Sequence, residues 1–194
     1  MRIVGGELRG RRLDVPRGMD VRPTSEKVRE ALFDILGPRV AGVSFLDLYA
    51  GTGAVGLEAL SRGASGAVLV EKGARPLAAL RSNVERLGVG GRCRVLPVAS
   101  EKALRILAGE GAAVGVAFCD PPYADAGWPD LLGRLATFPI WAPPGILVVE
   151  SAAKSLPACP AGFEAGKTYR YGDTALSLFR FSGGRAGEVR EEGP

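Results

Sequence analysis

Five apolar runs constrain this chain more than any other feature: SFLDLYA (44–50), GAVLVE (66–71), CRVLPV (93–98), VGVAFCD (114–120) and GILVVES (145–151). Near-continuous apolar character suits strands buried on both faces, which is the environment of a parallel sheet. Helical stretches at about 54–62, 75–87, 100–108 and 128–136 separate the runs, and in the second of these Leu77, Leu80, Val84 and Leu87 share one face. Right-handed crossovers then place helices on both sides of the sheet, predicting a doubly wound α/β architecture. The pattern changes at the end. AGKTYRYG and TALSLFRF alternate with period two and meet at Gly172-Asp173, with no helix between them. They read as an antiparallel hairpin completing a mostly parallel seven-stranded sheet.

Ahead of the alternating region, residues 1–22 lack helical periodicity and contain Gly5, Gly6, Gly10, Pro16 and Gly18. A short hairpin over RIVGGELRGRRLDV is expected, with Ile3, Val4, Leu8, Leu13 and Val15 as its apolar positions. Thr24 is expected to cap a helix carrying Val28, Ala31, Leu32, Ile35 and Leu36 on one face, ended by Gly37-Pro38. Residues 183–194 are charged and glycine-rich, the composition of a frayed tail. The organisation read here is a basic extension over 1–22, one main domain over 23–182 and a tail over 183–194. A length of 194 residues fits one such domain.

Composition narrows the chemistry. The chain has no histidine, so Ser-His-Asp triads, histidine-activated thiols and histidine-ligated metals are excluded, and no metal is expected. Cys93, Cys119 and Cys159 lack ligand-like spacing and read as small buried hydrophobes in a reducing compartment. No apolar run reaches the roughly 18 residues of a membrane span, and the opening MRIVGGELRGRR is too polar for a signal peptide. A cytoplasmic monomer without a membrane partner is expected. The net charge is only +4, but Arg2, Arg9, Arg11 and Arg12 face Glu7 alone within the first twelve residues, and Arg17, Arg22, Lys27 and Arg29 follow. Such a cluster is the footprint of a nucleic-acid contact, although a solvated arginine-rich arm has the same composition.

The segment DLYAGTGAVG (47–56) joins the first buried strand to the next helix. Gly51 and Gly53 allow a tight turn and let a ligand lie against the backbone, at the strand ends where open α/β sheets bind ligands. Tyr49 lies in the same loop as a further cofactor contact. Glu71, ending the next strand eighteen residues past Gly53, can accept hydrogen bonds from both hydroxyls of a ribose. GTGAVG also matches the dinucleotide fingerprint. Asp47 in the loop approach would meet the negative pyrophosphate of a dinucleotide, whereas it suits the positive amino group of a methionine-type ligand. S-adenosylmethionine, a dinucleotide and a structural turn all remain open on this segment alone. Ser100, after the third strand, can contact an adenine edge or cap the following helix.

VGVAFC runs directly into Asp120-Pro121-Pro122-Tyr123. Two prolines fix φ and stop the ladder, so the chain leaves the sheet rigidly. Asp120 and the Pro121 carbonyl can then converge on one amino group, and Tyr123 offers a flat face on which a base can stack. An exocyclic amine is a poor nucleophile because its lone pair is delocalised. Hydrogen bonds to Asp120 and Pro121 would turn that lone pair toward an electrophilic methyl. The alternative is a plain turn ending a buried strand.

With these residues in view, RIVGGELRGRRL, RPTSEKVREALFDIL, LDLYAGTGAVGLEALSRGA and FCDPPY together resemble the RsmD-type bacterial 16S rRNA (guanine-N2) methyltransferases, over essentially residues 1–181. The resemblance implies a Rossmann-like S-adenosylmethionine-dependent fold with a small N-terminal hairpin. It also implies methylation of one guanine of small-subunit rRNA in an assembled or nearly assembled subunit. Carried onto this sequence, it assigns Asp47, Gly51 and Gly53 to the cofactor loop, Glu71 to the ribose and Asp120 to Tyr123 to catalysis. Arg22, Pro23 and Thr24 border the pocket, with Arg22 meeting phosphate. Ser100 stands where many relatives carry an acid. A DNA adenine or cytosine amino-methyltransferase shares the tetrapeptide but usually carries a target-recognition region for which this chain has no room. A non-catalytic nucleic-acid-binding module is the remaining alternative.

Overall fold

The computed structural model describes residues 1–16, 25–122 and 127–183. After α1 (Glu26–Leu36), strands and helices alternate as β1 (Ser44–Asp47), α2 (Ala54–Ser61), β2 (Gly66–Val70), α3 (Ala74–Leu87), β3 (Cys93–Leu96), α4 (Ser100–Gly109), β4 (Val114–Cys119), α5 (Trp128–Arg134) and β5 (Trp141–Ala152). The hairpin β6 (Phe163–Tyr171) and β7 (Thr174–Phe181) follows. The sheet has seven strands in the order β3-β2-β1-β4-β5-β7-β6. Strands β1 to β5 pair in parallel, and β7 lies antiparallel between β5 and β6. The order reverses between β1 and β4, which makes the carboxyl edge of those two strands the switch point where ligands bind in open sheets. This is the doubly wound, mostly parallel seven-stranded α/β sheet with a terminal antiparallel hairpin read from the sequence.

The strand pleat sorts the core into two layers. Phe45, Val116, Phe118 and Val148 pack with α1, α2 and α3 on one face. Leu46, Ala117, Leu147 and Val149, one residue out of phase, pack with α4 and α5 on the other. β5 begins before the apolar run, and its register with β4 shifts between Val114 and Val116. Pro143 and Pro144 are tolerated there because the β7 ladder starts only at Ile146.

Three local expectations are corrected. The cap of α1 is Ser25, whose hydroxyl accepts from the Val28 N–H at 3.2 Å, not Thr24. Arg17, Arg22, Pro23, Thr24, Tyr123 and the segment 184–194 lie outside the described residues. Among the cysteines only Cys119 is buried; Cys93 is half-buried and Cys159 exposed. The N-terminal hairpin is reduced to a single antiparallel bridge, Arg2 to Arg12, and Val15 is exposed. The reason is competition for donors. The N–H groups of Val4 and Gly5 go to the Glu58 carboxylate, and those of Glu7 and Leu8 go to Ser61. Helix α2 therefore takes the partners that a second strand would need. Ile3 and Leu13 sink into the same core layer as α1, α2 and α3, so the arm is part of the packed body.

Candidate active site

The glycine loop between β1 and α2 is held from below. Gly51 and Gly53 adopt φ of 55° and 86°, and Gly53 is the N-cap of α2 with no side chain to offer. Asp47 supplies the missing acceptor: its carboxylate takes the N–H groups of Tyr49 and Gly56, both at 3.3 Å, the latter in the first turn of α2. Asp47 is 1% exposed. Burial pushes its pKa up to about 7 against the lowering effect of the two N–H groups, with Glu71 and Glu150 adding like charge. Its side chain braces the loop and does not line the cavity above it, so the reading of Asp47 as a direct partner of a ligand amino group finds no support in its position.

That cavity, about 420 Å³ in volume, opens at the carboxyl edge of β1, β2 and β4. Its lining includes Tyr49 and Gly51 after β1, Glu71 after β2 and Ser100 in α4, together with Asp120, Pro121 and Pro122 after β4. Glu71 is fixed by two backbone donors, Gly51 N–H at 2.9 Å and Gly73 N–H at 2.5 Å. Each carboxylate oxygen keeps a further lone pair for a hydroxyl. A Cβ built on Gly51 would meet no atom within 4 Å, so the loop is open there for a ligand to lie against it. Ser100 is not a cap: it occupies the first position of α4, where Ala99 is the N-cap. Its hydroxyl donates to the Leu48 carbonyl at 2.7 Å, which leaves the oxygen only as an acceptor. Tyr49 stands edge-on to Trp128 with ring centroids 5.7 Å apart.

Sequence reasoning passed over Glu150. Cys119 of β4 pairs with Val149 of β5, so Asp120, just past the end of β4, lies beside Glu150 of β5, and both line the cavity. Burial raises the Asp120 pKa to about 8, with the negative charges of Glu150 and Asp47 adding to the shift. The signal was present in the sequence: Glu150 follows the apolar run GILVV as Asp120 follows VGVAFC.

Asn83 was also missed. It sits on the buried stripe of α3 between Leu80 and Leu87, with no exposed surface. Its side chain accepts from the Asp14 N–H at 2.7 Å, and its amide nitrogen lies 3.1 Å from the Asp14 carbonyl and 3.0 Å from the Thr52 carbonyl. It thereby ties the arm to the glycine loop. Asn83→Ala is expected to lower unfolding free energy by about 2–3 kcal/mol, since buried backbone groups lose their partners. Chemical denaturation measures this, and a loss of only a few tenths would contradict it.

Arg2, Arg9, Arg11 and Arg12 of the arm are all exposed. Arg2 faces Glu26 at 3.3 Å, and Arg11 donates to the Arg86 carbonyl at 3.2 Å.

The chain is similar in sequence and fold to known proteins. Residues 1–180 match the family described as Conserved hypothetical protein 95. The Escherichia coli (strain K12) protein "Ribosomal RNA small subunit methyltransferase D" is 35% identical over 181 residues, covering 93% of this chain and 89% of the relative. The structure of a Thermus thermophilus hypothetical protein, TTHA0928, is 37% identical with a TM-score of 0.77, over 92% of this chain and 98% of that one. At 14% identity, an RNA methyltransferase from Salinibacter ruber in complex with S-adenosyl-L-homocysteine shares the fold alone, with a TM-score of 0.63 over 82% of this chain and 93% of that one. The chain belongs to the Conserved hypothetical protein 95 family, that of the RsmD rRNA methyltransferases.

Proposed function

We propose that the protein transfers a methyl group from S-adenosylmethionine to the exocyclic N2 of a guanine in small-subunit (16S) rRNA, within an assembled or nearly assembled subunit. One observation carries the reading: a single cavity is lined both by Gly51, Glu71 and Ser100 and by Asp120, Pro121 and Pro122. The residues fit the donor. Gly51 leaves open space for a ligand, Glu71 is pre-oriented for ribose hydroxyls, and Ser100 can accept from an adenine amino group. S-adenosylmethionine, when bound, supplies an electrophilic methyl.

The chain's own residues do the rest. Asp120 and the Pro121 carbonyl accept the two N–H bonds of the guanine amine and turn its nitrogen lone pair out of conjugation. Such positioning lowers a barrier by up to about 7–11 kcal/mol. As the nitrogen becomes cationic its acidity rises, and Asp120 takes the proton. Tyr123 is proposed to stack on the base. Incubating unmethylated small subunits, naked rRNA and duplex DNA with labelled S-adenosylmethionine, followed by nucleoside digestion, tests this. Label in N2-methylguanosine of the ribosomal samples is expected; label in DNA adenine or cytosine would overturn it.

The arm, with Arg22 and Thr24, is proposed to dock rRNA. Truncating it is a poor test because Ile3 and Leu13 belong to the core. Neutralising the exposed Arg9 and Arg12 together as glutamines is expected to weaken rRNA binding and reduce the slope of log affinity against log salt by about 1–2. An unchanged slope in a filter-binding titration would move the RNA surface elsewhere.

A further inference from the structure

A motif that holds an amino group does not choose among bases, since adenine, cytosine and guanine all carry one. The choice needs a second contact on the ring atom beside the amine. On the Watson–Crick edge of adenine and cytosine that neighbour is a bare nitrogen, an acceptor; on the same edge of guanine it is N1–H, a donor. Resting on the reading above, we propose that Glu150 selects guanine by accepting its N1–H while Asp120 and Pro121 hold the N2 amine.

The placement supports this in two ways. Parallel pairing of Cys119 with Val149 sets Asp120 and Glu150 next to each other at the same edge. With both carboxyls ionised, the two side chains there present acceptors only, the complement of the consecutive N1–H and N2–H donors of guanine. Glu150 also stands between two cavities. Besides the cofactor cavity it lines a second one of about 540 Å³, which shares Pro121, Pro122 and Ser151 and is walled further by Trp128 and Leu156. A base in that second cavity would reach Asp120 across the proline step, with Glu150 along its Watson–Crick edge. Adenine or cytosine in the same position would set a ring lone pair against the Glu150 carboxylate, a repulsive pairing that rejects them.

The test exchanges donor for acceptor on both partners. Once nucleoside mapping has located the base that the wild-type protein methylates, small subunits are reconstituted with guanine or with 2-aminopurine at that position. 2-Aminopurine keeps the 2-amine but has an unprotonated N1. Wild-type protein is expected to prefer guanine. Glu150→Gln, whose amide can donate to a bare N1, is expected to lose roughly 10- to 100-fold in kcat/KM on guanine and to narrow or reverse the preference. Glu150→Asp keeps the carboxylate and is expected to retain the guanine preference at a lower rate. S-adenosylhomocysteine affinity by calorimetry is expected to stay within about threefold in all three proteins, as for a residue that contacts the base and not the cofactor.

An unchanged ratio of guanine to 2-aminopurine in Glu150→Gln would overturn the assignment. So would loss of S-adenosylhomocysteine binding, which would put Glu150 in the cofactor's half of the cavity. A wild-type product other than N2-methylguanosine is a separate failure, that of the proposed reaction, and it would show before any variant is made.

Discussion

Asp120→Asn is expected to lower turnover by about 10²- to 10⁴-fold while leaving S-adenosylhomocysteine affinity nearly unchanged. The asparagine keeps the size of the side chain and one acceptor, so it still holds the amine but cannot take a proton at the reacting nitrogen. The wild-type pH profile gives the same role a second signature. Burial, Glu150 from β5 and Asp47 from β1 raise the Asp120 pKa to about 8, and the adjoining Cys119 thiol is itself pushed upward and stays neutral. The competent form is the carboxylate. The kcat/KM for small subunits therefore rises with pH through neutrality and levels off above about 8, the free-protein value for Asp120. Weakened cofactor binding in Asp120→Asn, or a flat profile between pH 6 and 9, would assign Asp120 to the cofactor instead.

The second large effect lies away from the chemistry. Glu58 is fully buried and is the hub of the arm: it accepts the N–H groups of Val4 at 2.8 Å and Gly5 at 2.7 Å, and pairs with Arg62 at 2.9 Å and Arg29 at 3.4 Å. Arg29 is likewise without exposed surface and donates to the Arg2 carbonyl. Burial pulls its pKa down and Glu58 pulls it back up. Its Nη1 has no hydrogen-bond partner among the described residues. Glu58→Ala leaves a buried guanidinium uncompensated and two arm N–H groups without acceptors, so a loss of about 3–5 kcal/mol is expected. For a chain of this length that lowers the thermal midpoint by roughly 10 °C. Adding Arg29→Met, which removes the stranded charge, is expected to recover part of the loss. A shift of only a degree or two for Glu58→Ala would mean that water reaches the pair.

Glu58 also marks the limit of what the chain reveals before it folds. The strand–helix alternation, the terminal hairpin, and the convergence of Gly51, Glu71 and Asp120 were all legible, because each rests on local periodicity plus the rule that ligands meet the carboxyl edge of such a sheet. Glu58 and Asn83 were not read, although each is a buried polar residue on a largely apolar helix. Periodicity locates the buried face; it does not say which polar group on that face finds partners from a distant segment. Asp47 shows the complementary limit. Its place at a strand end was clear, but pleat parity turns it toward α2 and under the loop. Glu150 was visible at the end of its apolar run and gained meaning only when β4 and β5 proved to be neighbours.

The most direct measurement is a crystal structure of the protein with S-adenosylhomocysteine. The ligand is expected in the cavity at the β1–β4 switch point, with its ribose hydroxyls on Glu71, its adenine beside Ser100 and its sulfur turned toward Asp120. A ligand bound elsewhere, or one whose sulfur points away from Asp120-Pro121-Pro122, would contradict the placement of both substrates at this edge.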